Sequence, residues 1–323
     1  MAETPPADPP GEERSPDPPE VPIEALAGPR QTVPFLVLQF FIFPLAIVGV
    51  CVAVFVIFGL IAGESKGAHD FLTEVRTGGA TRRWQAAFEL SRRIGAMKPG
   101  PERDAIAAES LRLFSTLSPS RPEDVRVRRY LVLVLGKLGD RSAVPALLGA
   151  TKDPDPETRL YAIWALGMLG DPRAGDAVLE ASHDEDPGMR KMAAYVLGKL
   201  GNRQAVPRLK VLLEDRVPDV RWNAAIALAS LNDGSGVAVL RSMVDREALS
   251  RQARLSSDQV EAAMVNALKA FALLRDEGSL PLLEKVARED PNLRVRDAAR
   301  RAVEATRGRA AANLERSASL LVV

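Results

Sequence analysis

The sequence predicts an all-α chain, an α-solenoid of stacked helical repeats behind one N-terminal transmembrane helix. Three observations lead there. A motif recurs every 31 residues between 124 and 233, apolar residues within each copy keep helical spacing, and residues 33–62 carry no charged side chain. A fixed period of about 20–50 residues marks architectures whose units bury an apolar face only by stacking on neighbours.

Residues 1–32 are rich in proline and acid, with runs such as Pro16-Asp17-Pro18-Pro19-Glu20 and no aromatic before Phe35. Such a segment cannot bury enough apolar surface to offset its ordering entropy, so a disordered tail is expected. From Val33 to Ala62 the one clearly polar side chain is Gln39. A spanning helix needs about 20 apolar residues, and a signal peptide has a basic leader with a shorter apolar stretch, so 33–62 reads as a retained anchor in the bilayer. Before it stand Arg14 and Arg30; after it come Lys66, Arg76, Arg82 and Arg83. That bias predicts a single-pass protein of the inner membrane with its repeat domain in the cytoplasm. Charge divides the same way. Residues 1–63 hold two arginines against seven acids, net −5, and the remaining 41 basic and 35 acidic residues give +6.

After a linker at 63–67, the solenoid is expected over 68–307. Its copies end in Leu138-Gly139-Asp140, Leu169-Gly170-Asp171, Leu200-Gly201-Asn202 and Leu231-Asn232-Asp233. In the first copy Leu131, Val134, Leu135 and Leu138 fall at i, i+3, i+4 and i+7, one stripe of a helix. Glycine then takes the left-handed conformation that ends a helix. A second apolar run follows, such as Ala205–Leu213, and Asp155-Pro156 or Asp186-Pro187 opens the next copy as N-cap and first helical residue. Arg83–Leu90 matches Arg221–Leu228 as an atypical first repeat, and beyond 233 the register slips by about 12 residues through Asp245–Ser257 before resuming at Leu274-Arg275-Asp276. An arginine-rich last helix, about Leu293–Thr306, would be the polar cap that solenoids require. Residues 308–323 read as a loose tail.

The segment Val220-Arg221-Trp222-Asn223-Ala224-Ala225-Ile226-Ala227-Leu228-Ala229-Ser230-Leu231 resembles HEAT repeats, and more closely the short HEAT-like repeats first described in phycobilin lyases. The resemblance covers roughly 80–310, in units shorter than the HEAT length of about 40–47. It implies a fold and leaves activity open, because function on a shared scaffold lives in grafted sites.

Groups that could do chemistry are sparse. His69 and His183 are isolated, and Cys51, the single cysteine, lies in the anchor segment. The His-Glu dipeptides that ligate iron in HEAT-like hydroxylases are absent, as are the GxGxxG and GxxxxGK[ST] loops. No cofactor, metal or small-molecule substrate is expected, and the interleaved charges do not suit nucleic acid.

Two sets of residues stand out. Arg128, Arg159, Arg190 and Arg221 follow Asp124, Asp153, Asp184 and Asp215 by four to six residues. That spacing suits a structural ladder between repeats, with an anionic ligand site as the alternative. Leu133, Trp164, Tyr195 and Ile226 share one column, roughly 160–220° from the buried leucines at 100° per residue. Either neighbouring helices cover that column or it contacts a partner. The expectation is a non-enzymatic, membrane-anchored scaffold that docks a protein, such as a membrane complex. The alternative is an accessory subunit or cofactor-handling chaperone of the lyase kind.

Overall fold

The computed structural model describes residues 42–62, 66–253 and 255–320, with side chains described for 42–57, 66–251 and 255–308. The chain forms two compact units, dividing at Ser65 and Lys66. The first contains helix α1, Phe43–Ala62, which has no charged residue. Its described side chains are all exposed, Phe55 to 82%. Among the described residues no helix is long and apolar enough to cross a membrane. Residues 33–41 and the side chains of 58–62, both part of the expected anchor, lie outside the described residues, as does the tail at 1–32.

The second unit is helical throughout, and the described residues contain no strand. It opens with α2 (Ala68–Thr77), α3 (Ala80–Arg93) and α4 (Pro101–Thr116). Then long and short helices alternate: α5 (Pro122–Leu138), α6 (Val144–Ala150), α7 (Pro156–Leu169), α8 (Gly175–Ala181), α9 (Pro187–Leu200), α10 (Val206–Leu212), α11 (Pro218–Ser230) and α12 (Val237–Met243). An inserted helix, α13 (Arg246–Ala253), accounts for the slip in register. The chain finishes with α14 (Ser257–Leu274), α15 (Leu280–Glu289) and α16 (Leu293–Leu320). The expected loose tail is therefore helical as far as Leu320. The stretch Ala310-Ala311-Ala312-Asn313-Leu314-Glu315-Arg316 is rich in strong helix formers.

The long helices α5, α7, α9, α11, α14 and α16 pack in sequence order as one layer, and the short helices pack against them. Local chemistry repeats in each copy. Gly139, Gly170 and Gly201 cap their helices at φ 63–74°, and Asn232 and Arg275 take the same left-handed conformation. The following Asp140, Asp171, Asn202 and Asp233 accept a backbone hydrogen bond two residues on, starting a 3₁₀ turn before each short helix. The buried stripe is Leu131, Val134, Leu135 and Leu138 in α5 and Ala193, Val196 and Leu197 in α9.

The core has two parts that meet in α11. Val220, Ala224, Leu228 and Leu231 join a cluster reaching back to Phe71, whereas Trp222, Ala225 and Ala229 join one reaching forward to Val303. Close helix approach depends on a second column. A Cβ at Gly136 would stand 2.7 Å from Ala165 Cβ, and one at Gly198 would stand 2.7 Å from Ala227 Cα. Alanine at a helical glycine gains about 1 kcal/mol in propensity, but overpacking against backbone costs about 1–3. Gly198→Ala is therefore expected to lower stability by about 1 kcal/mol net. Gly149→Ala, where a Cβ meets nothing within 4 Å, is expected to raise it slightly. Urea unfolding of the two variants checks the opposite signs.

Arginines tie successive repeats together. Arg128 donates through Nε and Nη2 to Asp153 Oδ2 at 3.0 and 2.7 Å, through Nη1 to the Leu117 carbonyl at 2.9 Å, and lies 4.3 Å over the Phe114 ring. Arg190 clamps both carboxylate oxygens of Asp215 at 2.7 and 3.0 Å and bonds the Asp184 and Glu185 carbonyls. The hydrogen bond from Arg190 holds the Asp215 carboxyl below its ordinary range despite its burial. Arg159 and Arg221 bond only loop carbonyls, Asp153 and Pro154 for the first and Asp215 for the second. The same device extends beyond the four arginines singled out by spacing. Arg83 Nη2 sits 2.9 Å from Asp124 Oδ1. With Leu274 aligned to Leu231, the position matching Arg221 is the buried Met264. Arg246, from the inserted helix, instead grips Asp290 at 2.8 and 3.1 Å.

Candidate functional site

Each long helix turns one stripe away from the short-helix layer, at i, i+4, i+7 and i+11. On α5 the stripe is Arg126, Tyr130, Leu133 and Lys137, and on α7 it is Glu157, Tyr161, Trp164 and Met168. On α9 it is Gly188, Met192, Tyr195 and Lys199, and on α11 it is Asp219, Asn223, Ile226 and Ser230. Leu133, Trp164 and Ile226 are half-buried, while Tyr195 is 46% and Met168 44% exposed. Neither expectation for the column describes it fully. Trp164 and Ile226 pack against the core while remaining partly exposed, and Tyr195 faces solvent.

Trp164, Tyr195 and Ile226 converge on one groove of about 510 Å³, whose lining also includes Trp222 from α11 and Asn266 from α14. Leu133 is not part of that lining and sits farther along the face, on α5. The insertion shapes the far wall, because Met243 precedes it and Leu255 follows it. Polar groups in the groove are amides and one ion pair. Asn223 Nδ2 donates to the Asp219 carbonyl at 2.8 Å, leaving its amide oxygen available as an acceptor. Lys191 Nζ lies 3.2 Å from Asp219 Oδ2.

Toward α5, Arg129 clamps Asp155 at 2.9 and 3.1 Å and also pairs with Glu157. Burial pushes the Asp155 carboxyl up, but hydrogen bonds from Arg129 and Thr158 outweigh it and hold the group below its ordinary range. Burial, with Glu157 nearby, raises the Tyr161 phenol. Tyr130 stacks on Trp84 with ring centroids 6.5 Å apart, which continues the aromatic surface onto α3.

The column Leu133, Trp164, Tyr195 and Ile226 leaves out Tyr130, Tyr161, Met192 and Trp222. The first three repeat at the same 31-residue spacing, so their signal is present one helical turn away. Trp222 belongs to the column Arg129, Leu160, Lys191 and Trp222, where charged and apolar residues alternate and no continuous apolar pattern announces it. Among the described residues no group of three His, Cys, Asp or Glu side chains is placed to hold a metal. His69 faces Glu109 at 3.5 Å, and Cys51 is exposed on α1.

The fold defines a class, the helical-repeat solenoids, in which successive units build an extended face. Within that class, the profile described as HEAT repeats matches residues 116–187 and 176–257. No curated protein matches the sequence. Among solved structures, the chain is similar to the complex of CpcE and CpcF of phycocyanin lyase from Nostoc sp., at 20% identity and TM-score 0.48, covering 75% of this chain and 95% of that one. It is similar to YibA of Escherichia coli at 15% identity and TM-score 0.48, covering 73% and 82%. A designed armadillo repeat protein in complex with the peptide (KR)4 is similar at 17% identity and TM-score 0.43, covering 75% and 100%.

Proposed function

We propose that this chain is a non-enzymatic docking scaffold whose long-helix face receives a protein partner. The observation that carries this reading is the groove where Trp164, Tyr195 and Ile226 meet with their outer edges exposed. Solvated positions seldom keep large apolar side chains in successive repeats, and aromatic residues dominate binding energy at interfaces. The Trp164→Ala, Tyr195→Ala double variant is expected to lose about 2 kcal/mol or more of partner affinity. Its cost in stability should stay below the roughly 3–5 kcal/mol of a fully buried aromatic. Co-purification from detergent and thermal unfolding test both halves. A large fall in melting temperature with partner capture intact would make the column a packing device, and a chromophore or metal bound in place of a protein would favour the cofactor-handling role.

Residues 33–62 serve as the membrane anchor in this proposal. The support is thirty residues without a charge and a described run of exposed apolar side chains on α1, which water does not favour and a bilayer does. The excess of basic residues after the segment favours a cytoplasmic solenoid. A reporter cysteine in the C-terminal segment, in a Cys51→Ser background, is expected to resist an impermeant thiol reagent in intact cells. Ready labelling would reverse the orientation.

A further inference from the structure

The docking face carries a charge imbalance that points to the chemistry of its partner. Its stripes on α5, α7, α9 and α11 contain two carboxylates, and both are engaged: Glu157 by Arg129 and Asp219 by Lys191. The cations are not matched in return. Lys137 Nζ donates to the Ser91 carbonyl at 2.6 Å, and Lys199 Nζ reaches only Met168 Sδ at 3.4 Å. Arg126 lies 5.4 Å over the Trp84 ring. None of the three has a carboxylate within ion-pair distance among the described residues. Lys137, Met168 and Lys199 occupy one column, so two lysines flank an exposed methionine beside Leu133, Trp164 and Tyr195. At the opposite end Asp258 and Glu261 share a cavity of about 410 Å³ with Lys269 and Arg294.

We infer that the occupant is an acidic segment of a partner protein, with large apolar side chains that enter the groove and carboxylates that lie over Lys137 and Lys199. The inference rests on the docking reading. Apolar contact with Trp164, Tyr195 and Ile226 supplies the anchor, and the amides of Asn223 and Asn266 offer hydrogen bonds to a peptide backbone. The unpaired cations then select the sign of the flanking charge. A basic segment would meet like charges without relief, and such juxtaposition is how interfaces reject wrong partners. Exposed charges also govern encounter more than residence, so salt should weaken binding by slowing association.

The test uses the full chain in detergent and three fluorescein-labelled peptides that share Leu, Phe and Trp residues. Their spacers are Asp and Glu in one, Ser and Gly in the second, and Lys and Arg in the third. The acidic peptide is expected to bind at least about tenfold tighter than the basic one, and to weaken between 50 and 500 mM salt. Lys137→Glu with Lys199→Glu should cost the acidic peptide about tenfold and improve the basic one. Tyr195→Ala should weaken every peptide that binds. Binding that depends on Tyr195 but is indifferent to spacer charge, or favours the basic spacer, overturns the inference and leaves the docking reading standing. Binding of none of the peptides, or binding untouched by Tyr195→Ala, removes both. Tighter binding to phosphatidylserine vesicles than to the acidic peptide would assign the cations to lipid and likewise overturn the inference.

Discussion

Replacing Arg128 with alanine is expected to destabilise the solenoid by about 3–5 kcal/mol, because it strands a buried charge. Asp153 keeps only 2% of its side chain exposed and Arg128 10%. Removing the guanidinium deletes two bonds to the carboxylate, its bond to the Leu117 carbonyl and its contact with Phe114. Asp153 Oδ1 would still accept from the Asp155 backbone N–H at 3.0 Å, but its second oxygen would face the interior uncompensated. Adding Asp153→Asn should therefore recover most of the loss, since asparagine keeps that acceptor and carries no charge. Arg159→Ala supplies the contrast. This arginine bonds two carbonyls and no carboxylate, so its loss should cost about 0.5–1.5 kcal/mol. Urea unfolding of the three variants distinguishes them. Equal effects at Arg128 and Arg159 would show that the carboxylate clamp contributes nothing special.

Arg246→Ala should produce a smaller and more local effect, about 2–3 kcal/mol, from the lost charged hydrogen bonds to Asp290. The carboxylate is 5% exposed and the arginine 25%, so solvent screens part of the pair. The damage should stay in the C-terminal core, because that cluster is separate from the one beginning at Phe71. Hydrogen exchange is expected to speed up in α14–α16 while α5–α9 keep their protection, a pattern that repeat arrays permit and single cooperative cores do not. Lysine should not substitute, because it lacks the planar fork that meets both oxygens. Uniform acceleration along the whole solenoid would contradict a divided core.

These two arginines also show what the sequence could and could not reveal. Arg128 was legible as one of four arginines recurring every 31 residues, whereas its carboxylate partner, Asp153, lies 25 residues on and is not the Asp124 that precedes it. The helix stripes and glycine caps were legible for the same reason: each is a local pattern repeated at a fixed interval. Arg246 was not legible as a clamp, since it acts across 44 residues from an insertion with no counterpart in the other copies. Nor was the cap at Arg275, whose left-handed backbone is one that arginine seldom adopts. The candidate column was half legible. Spacing gathered Leu133, Trp164, Tyr195 and Ile226, but only the packing of α14 beyond the insertion shows that the last three share a groove that Leu133 does not enter. How far each ring emerges depends on its neighbours in space, and periodicity alone carries no information about them.

The uneven placement of carboxylate clamps has a mechanical consequence. Asp153 and Asp215 are gripped from the preceding repeat, whereas Asp184 accepts its bond from the backbone of Asp186 and Arg221 holds no carboxylate. The joint between α7 and α9 is bridged instead by Arg208, which donates to the hydroxyl and carbonyl of Ser182, and the joint between α11 and α14 by Arg241, which donates to Ser279 and Asp276. The buried two-oxygen clamp on Asp215 joins the repeats that carry Tyr195 and Ile226, both within the groove. A load that bends the array would change the Tyr195–Ile226 spacing less than the Trp164–Tyr195 spacing, so the groove would open and close from its Trp164 edge like a jaw with one fixed side.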